Sequence, residues 1–132
     1  MKEDEPISLR KALDAIDAFW SPHIVTRVND YDVRIAKIDG EYVWHVHDHT
    51  DEFFLVFDGE LHISLREAGQ ERTVRLATGE VFTVPRGVEH RPSAPAGAAI
   101  LMFEPAGTLN VGDRHDAVPD HIEVTAGHDF IG

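Results

Sequence analysis

The sequence predicts an all-β domain, an antiparallel sandwich or barrel with one N-terminal amphipathic helix. Three observations predict it. Eight short runs of strand-forming residues follow one another with no helical periodicity between them. Turn residues separate the runs, and Asp-Gly, the strongest short hairpin signal, occurs at Asp39-Gly40 and again at Asp58-Gly59. Only one stretch, near the N-terminus, carries apolar residues at a spacing of three and four.

That stretch comes first. Ser8 is placed as an N-cap, and Leu9, Ala12, Leu13, Ile16, Phe19 and Trp20 then recur at helical spacing until Ser21-Pro22 ends the pattern. The expected helix covers about 8–20. Strands follow at 24–28, 31–38, 42–47, 52–57, 61–65, 73–77, 81–84 and 98–103, a barrel of about 24–104. Turns are expected at Asn29-Asp30, Ala68-Gly69-Gln70 and Thr78-Gly79, with a loop over 92–97. The charge run at 2–5 reads as solvated, and the segment 113–132 as a polar tail or a loose terminal strand. No repeat is present, and the whole reads as one domain, 1–132.

Composition narrows the function. The 132 residues are 42% hydrophobic, enough for one core. A formal charge of −12 argues against nucleic acid and anionic membrane, which repel such a surface. With no cysteine, neither disulfides nor thiolate metal sites are available. The acidic start and the lack of long apolar windows predict a cytoplasmic protein.

The chemistry concentrates in WHVHDHTDEFFLVFDG, 44–59. Strand alternation points His45 and His47 the same way. If Asp58-Gly59 is a two-residue turn, residue 52 lies opposite 65, 54 opposite 63 and 56 opposite 61. Glu52 then shares a face with Phe54, Val56, Leu61, Ile63 and Leu65, a face otherwise wholly apolar and therefore inner. Two imidazoles and a carboxylate meeting at a dry interior recover their desolvation cost by binding a divalent metal. The alternative is a surface loop in which both imidazoles are solvated.

A second stretch, GEVFTVPRGVEH at 79–90, is a turn, a strand, a Pro-Gly corner and a histidine. Together the two stretches resemble the paired motifs of the cupin superfamily. Gly40, His45, His47, Glu52 and Gly59 match the first motif, and Gly79, Pro85, Gly87 and His90 the second. Gly40 stands one residue closer to the histidines than usual, and Ala94 replaces a frequent Asn. Together with EPAGTLN at 104–110, the chain is similar to small single-domain bacterial cupins, some labelled phosphomannose isomerase.

The resemblance implies a jelly-roll barrel of six to eight antiparallel strands. It also implies one divalent transition metal (Fe, Mn, Ni, Cu or Zn) held by His45, His47, Glu52 and His90. Two open coordination positions would remain for water, an anionic substrate or dioxygen. The resemblance assigns no ligand role to His49, and Asp51 reads as a loop or supporting residue.

A two-residue turn at Asp39-Gly40 would place Arg34 opposite His45 and Asp32 opposite His47, inside the barrel; a one-residue bulge would send Lys37 inward instead. The first register leaves Tyr31, Val33, Ile35, Tyr42, Trp44 and Val46 outside with Phe53, Leu55 and Phe57. So apolar a surface must be covered by the helix or by a second copy of the chain, and a homodimer is expected. Arg34, Phe54, Val56 and Ile63 are the expected pocket. His23, His62, His115, His121 and His128 read as surface residues, and Glu104 as a strand-end carboxylate.

Three function classes follow. The first is a metal-dependent enzyme on a small molecule, with dioxygenase chemistry favoured by the apolar inner face and isomerase or epimerase chemistry as the alternative. No spare inward base beyond Glu52 stands out for the latter, and a phosphosugar would need more cations than Arg34 and Arg86. The second is a non-catalytic binding module, and the third a structural barrel.

Overall fold

The computed structural model describes residues 5–129, so most of the 2–5 charge run and the last residues of the tail lie outside it. Helix α1 (Leu9–Asp14) precedes strands β1 (His23–Val28), β2 (Tyr31–Glu41), β3 (His45–Val46), β4 (Glu52–Gly59) and β5 (Leu61–Glu67). Then come β6 (Gln70–Leu76), β7 (Val81–Val84), β8 (Glu89–Pro105), β9 (Arg114–His115) and β10 (His128–Asp129). The expected jelly-roll architecture is present, almost wholly antiparallel, with β10 against β1 the one parallel strand pair among the described residues.

The 17-residue β8 organises the barrel by pairing in turn with β5, β3, β2 and β4. The expectation of a loop over 92–97 is therefore corrected. Pro92 and Pro95 lack amide donors, yet β8 continues through them because it bends there and changes partners. The carbonyl of Pro92 still accepts from Tyr42 N at 2.9 Å.

The two Asp-Gly pairs do not close hairpins. β2 runs through Asp39-Gly40 to Glu41 and pairs with β1 and β8; β4 pairs with β7 and β8, and β5 with β6 and β8. The alternation survives this change of partners. Phe54, Val56, Leu61, Ile63 and Leu65 are each at most 2% exposed in one core inside the barrel. The Ala68-Gly69 turn joins β5 to β6 with both residues at positive φ, 50° and 75°, as a tight hairpin requires.

Ser8 caps α1, its Oγ accepting from Lys11 N at 3.2 Å. The helix stops at Asp14, well short of residue 20. Six residues do not hold a helix by themselves; Ala12 and Leu13, with Ile16 beyond the C-cap, do so by packing on Val25, Ile35 and Ala99 of the outer sheet. Beyond Ile16 the barrel wins. Trp20 takes φ +57° and turns its indole into the barrel core, leaving Phe19 half exposed. Tyr42, expected outside, is also in that core, stacked on Trp20 at 4.7 Å.

The C-terminal segment is not loose. Val111 and Ile122 are buried in the barrel core, and β9 adds to β3. Asp113 N and Asp116 N donate to the carbonyls of Val46 and Trp44 at 2.8 and 3.0 Å. Gly112 passes so near Val46 that a Cβ would collide with its carbonyl oxygen, and its φ is +71°. Gly112→Ala is expected to destabilise the fold by about 2 kcal/mol or more, read as a lowered Tm in thermal denaturation. An unchanged Tm would show that the strap is not clamped to β3 there.

Candidate metal centre

His45 on β3 is the backbone partner of His90 on β8, so the two imidazoles lie side by side with ring centroids 4.3 Å apart. His47 follows two residues on, and its ring joins the same side, 5.1 Å from that of His45. Glu52 opens β4 and faces all three. Its Oε1 lies 2.9 Å from His90 Nε2 and 3.8 Å from His45 Nε2, and its Oε2 lies 3.4 Å from His47 Nε2. All four side chains are buried.

Backbone carbonyls decide which nitrogen is free. His45 Nδ1 and His90 Nδ1 each donate, at 2.9 Å, to the carbonyl two residues earlier, Val43 and Val88. With Nδ1 carrying the hydrogen, neutral imidazole turns an Nε2 lone pair toward Glu52. Lone pairs packed against a carboxylate repel one another unless positive charge stands between them. His47 Nε2 is buried without a hydrogen-bond partner.

The four donor atoms lie within 4.8 Å of one another. An ion bonded at about 2.1 Å spaces adjacent donors about 3 Å apart and opposed donors about 4.2 Å apart, so small contractions suffice. The donor set fits a divalent transition metal. Such an ion would convert the burial cost of these groups into binding energy.

Electrostatics agree with this geometry. Burial depresses the pKa of His45. At His47 burial acts the same way, but the charge of Glu52 outweighs it and the pKa is raised. Burial also opposes the charge on Glu52, yet the charge of His47 beside it holds the carboxylate well below its usual range. Glu104 is driven well up, by burial first and then by the charge of Glu52.

Glu104, which the sequence suggested as a plain strand-end carboxylate ahead of a supporting acid, is buried beside the quartet. It is 1% exposed and shares a buried network with Arg34, which is 0% exposed. Arg34 Nη1 donates to Glu104 Oε2 at 2.7 Å and to the Thr108 carbonyl at 2.8 Å. Its Nη2 and Nε donate to Asp32 Oδ2 at 2.9 and 3.2 Å. Glu104 Oε1 and Tyr42 Oη have no hydrogen-bond partner. The one legible signal for Glu104 was its place at the end of an inward-alternating strand.

A narrow cavity of about 40 Å³ adjoins the quartet, its wall mostly apolar. Arg34, Tyr42, Phe54 and Glu104 line it beside His45 and Glu52, together with Trp20. Of the expected pocket residues, Arg34 and Phe54 reach this cavity; Val56 and Ile63 are packed in the core instead. Arg34 and Asp32 point inward although β2 and β3 are not paired, and Lys37 does not join them.

His49 is exposed, and Asp51 accepts from Arg86 N at 2.9 Å, away from the quartet. Trp44 lies under the guanidinium groups of Arg66 and Arg91, 3.7 and 5.2 Å from its ring. His115 and His121 are exposed, while His23, His62 and His128 are partly buried outside the centre.

The family model for the cupin domain matches residues 32–104. A cupin-2 domain-containing protein from Shewanella frigidimarina is 36% identical, and the match covers 75% of this chain and 93% of that one with a TM-score of 0.71. A 3-hydroxyanthranilate 3,4-dioxygenase from Burkholderia cenocepacia is 36% identical over 113 residues, 81% of this chain and 59% of the relative. Hydroquinone 1,2-dioxygenase from Sphingomonas sp. TTNP3 has the same fold at 22% identity and a TM-score of 0.70, covering 78% of this chain and 33% of that one. The chain spans only 36–59% of the length of such curated relatives.

Proposed function

The chain belongs to the cupin family, and on that premise we propose that it is a metal-dependent enzyme of dioxygenase type acting on a small aromatic molecule. The observation that carries this reading is the His45–His47–Glu52–His90 quartet opening onto a cavity walled mainly by apolar and aromatic side chains. The dioxygenase names among its relatives support it.

His45, His47, Glu52 and His90 would hold the ion, with iron the choice this chemistry needs. When bound, it would supply a Lewis-acidic, redox-active centre with open positions for substrate and dioxygen. The protein does the rest. Phe54, Ile100 and Met102 exclude water from the cavity. Glu104 Oε1, free of any partner, accepts a hydrogen bond from a substrate hydroxyl or amine, and Arg34 holds Glu104 in place through Oε2.

Oxygen uptake by iron-loaded protein, screened over catechols, hydroquinones and aminophenols, tests the reading. Consumption with at least one ring class, abolished in Glu52→Gln, is expected. No uptake at full iron occupancy would overturn it.

One observation favours a second reading. Glu104 gives an isomerase or epimerase the base that the sequence lacked. Phosphosugars fit poorly, because Arg34 is the only cationic side chain described in the cavity lining and four of its donor bonds are already made. Loss of a substrate C–H proton to D2O, without oxygen consumption, would separate this reading from the first.

A homodimer also belongs to the proposal. Helix α1 covers Val33, Ile35, Phe57 and Leu101, but Tyr31, stacked on Phe103 at 4.8 Å, stays at the surface near Phe53 and Leu55. No helix among the described residues is long and apolar enough to cross a membrane.

A further inference from the structure

Cavity size sets the problem. About 40 Å³ has room for two or three waters, whereas an apolar cavity that takes benzene measures about 150 Å³. A substrate ring cannot occupy this site until part of the lining moves. Arg34, Ala36, Ile38, Phe54, Ile100, Met102 and Glu104 all lie on β2, β4 and β8, central strands paired on both sides. Moving any of them breaks a sheet.

Trp20 differs in every respect. It belongs to the connection between α1 and β1, and its neighbours Asp17, Ala18 and Phe19 are exposed. Its backbone sits at φ +57°, where a bulky side chain costs on the order of 1 kcal/mol or more. Three local contacts hold it there: Trp20 N donates to the Lys37 carbonyl at 2.8 Å, Nε1 to the Asp39 carbonyl at 2.9 Å, and the indole stacks on Tyr42. Release would unpack the indole from the barrel core, and it would relieve the strain. Of the other lining residues off the strands, Asn110 is tied to Glu123 and Thr125 by three hydrogen bonds, Tyr42 is stacked under the indole, and Pro22 accepts from His128 N through its carbonyl.

We propose that Trp20 is the gate of this site: its indole withdraws, and a flat aromatic ring takes its place on Tyr42, beside the His45–Glu52 end of the cavity. Tyr42 Oη, buried and unpartnered, then meets a hydroxyl or amine of that ring. This rests on the aromatic reading of the site given above.

The test uses zinc-loaded protein, which binds without turnover, and one probe, 4-nitrocatechol. Stopped-flow absorbance compares wild type with Trp20→Phe and Trp20→Ala, after thermal melts confirm that each is folded. In wild type the observed rate should level off with nitrocatechol concentration, at the rate of opening. In Trp20→Ala it should be about tenfold faster or more and rise linearly, with Trp20→Phe between them. If Trp20→Ala does not fold, Trp20→Phe alone must still be faster than wild type. Equal, linear rates in wild type and the variants would overturn the gate and leave the aromatic reading standing. Failure of every zinc-loaded protein to bind nitrocatechol would overturn both.

Discussion

Glu52→Gln should abolish metal binding while leaving the metal-free fold intact. Glutamine keeps the shape of the side chain but offers no anion to balance a dication, and Glu52 is the one carboxylate within reach of all three imidazoles. A ligand present at 100 times its Kd stabilises the folded state by about 2.7 kcal/mol, which in a domain of this size raises Tm by about 10 °C. That increment should vanish in Glu52→Gln and in His47→Ala.

Without metal, Glu52→Gln should melt close to the wild type, because it also removes the charge that presses on Glu104. Elemental analysis beside paired melts, with and without added zinc, checks both halves. His49→Ala, altering an exposed loop residue, should keep the metal. Metal retained by Glu52→Gln, or lost by His49→Ala, would show that the ligand set is wrong.

Arg34→Met should be the most damaging substitution for the fold itself. It leaves Asp32 and Glu104, each 1% exposed, without the cation they share, although Arg27 still donates to Asp32. Breaking one side of a buried ion network costs about 3–5 kcal/mol, a large part of the roughly 5–15 kcal/mol that holds a domain folded. The cost comes from stranded charge rather than lost packing, because methionine fills much of the same space. Arg34→Met combined with Asp32→Asn and Glu104→Gln should therefore recover more than half of the loss in urea denaturation. A triple variant no more stable than the single one would assign the cost to packing and to the orphaned Thr108 carbonyl.

Much of this protein is legible in the one-dimensional pattern, because alternation is a local property. That Glu52, Phe54 and Val56 share an inner face follows from the two-residue period and holds whatever strand lies alongside. His45, His47 and Glu52 were readable for the same reason, whereas His90 was marked by the resemblance of GEVFTVPRGVEH to the second cupin motif. Ser8 announced its cap through a bond reaching only three residues on.

Partners are a different matter. The Asp58-Gly59 and Asp39-Gly40 pairs suggested hairpins, but β8 supplies hydrogen bonds to β2, β3, β4 and β5 together, and no local signal weighs that competition. Helical spacing ran on to Trp20, yet burying the indole in the barrel outweighed continuing the helix, even at a positive φ. Glu104 gained its place beside Glu52 only when β8 closed the barrel, and Tyr42 turned inward to meet Trp20. The sequence by itself determined the fold class, the inner faces and three of the candidate metal-binding side chains, His45, His47 and Glu52, since these depend on periodicity and short spacings, while His90 came from the motif resemblance. Tertiary structure alone decided the strand partners, the buried Arg34 network and the Trp20 closure, since each is a competition between contacts distant along the chain.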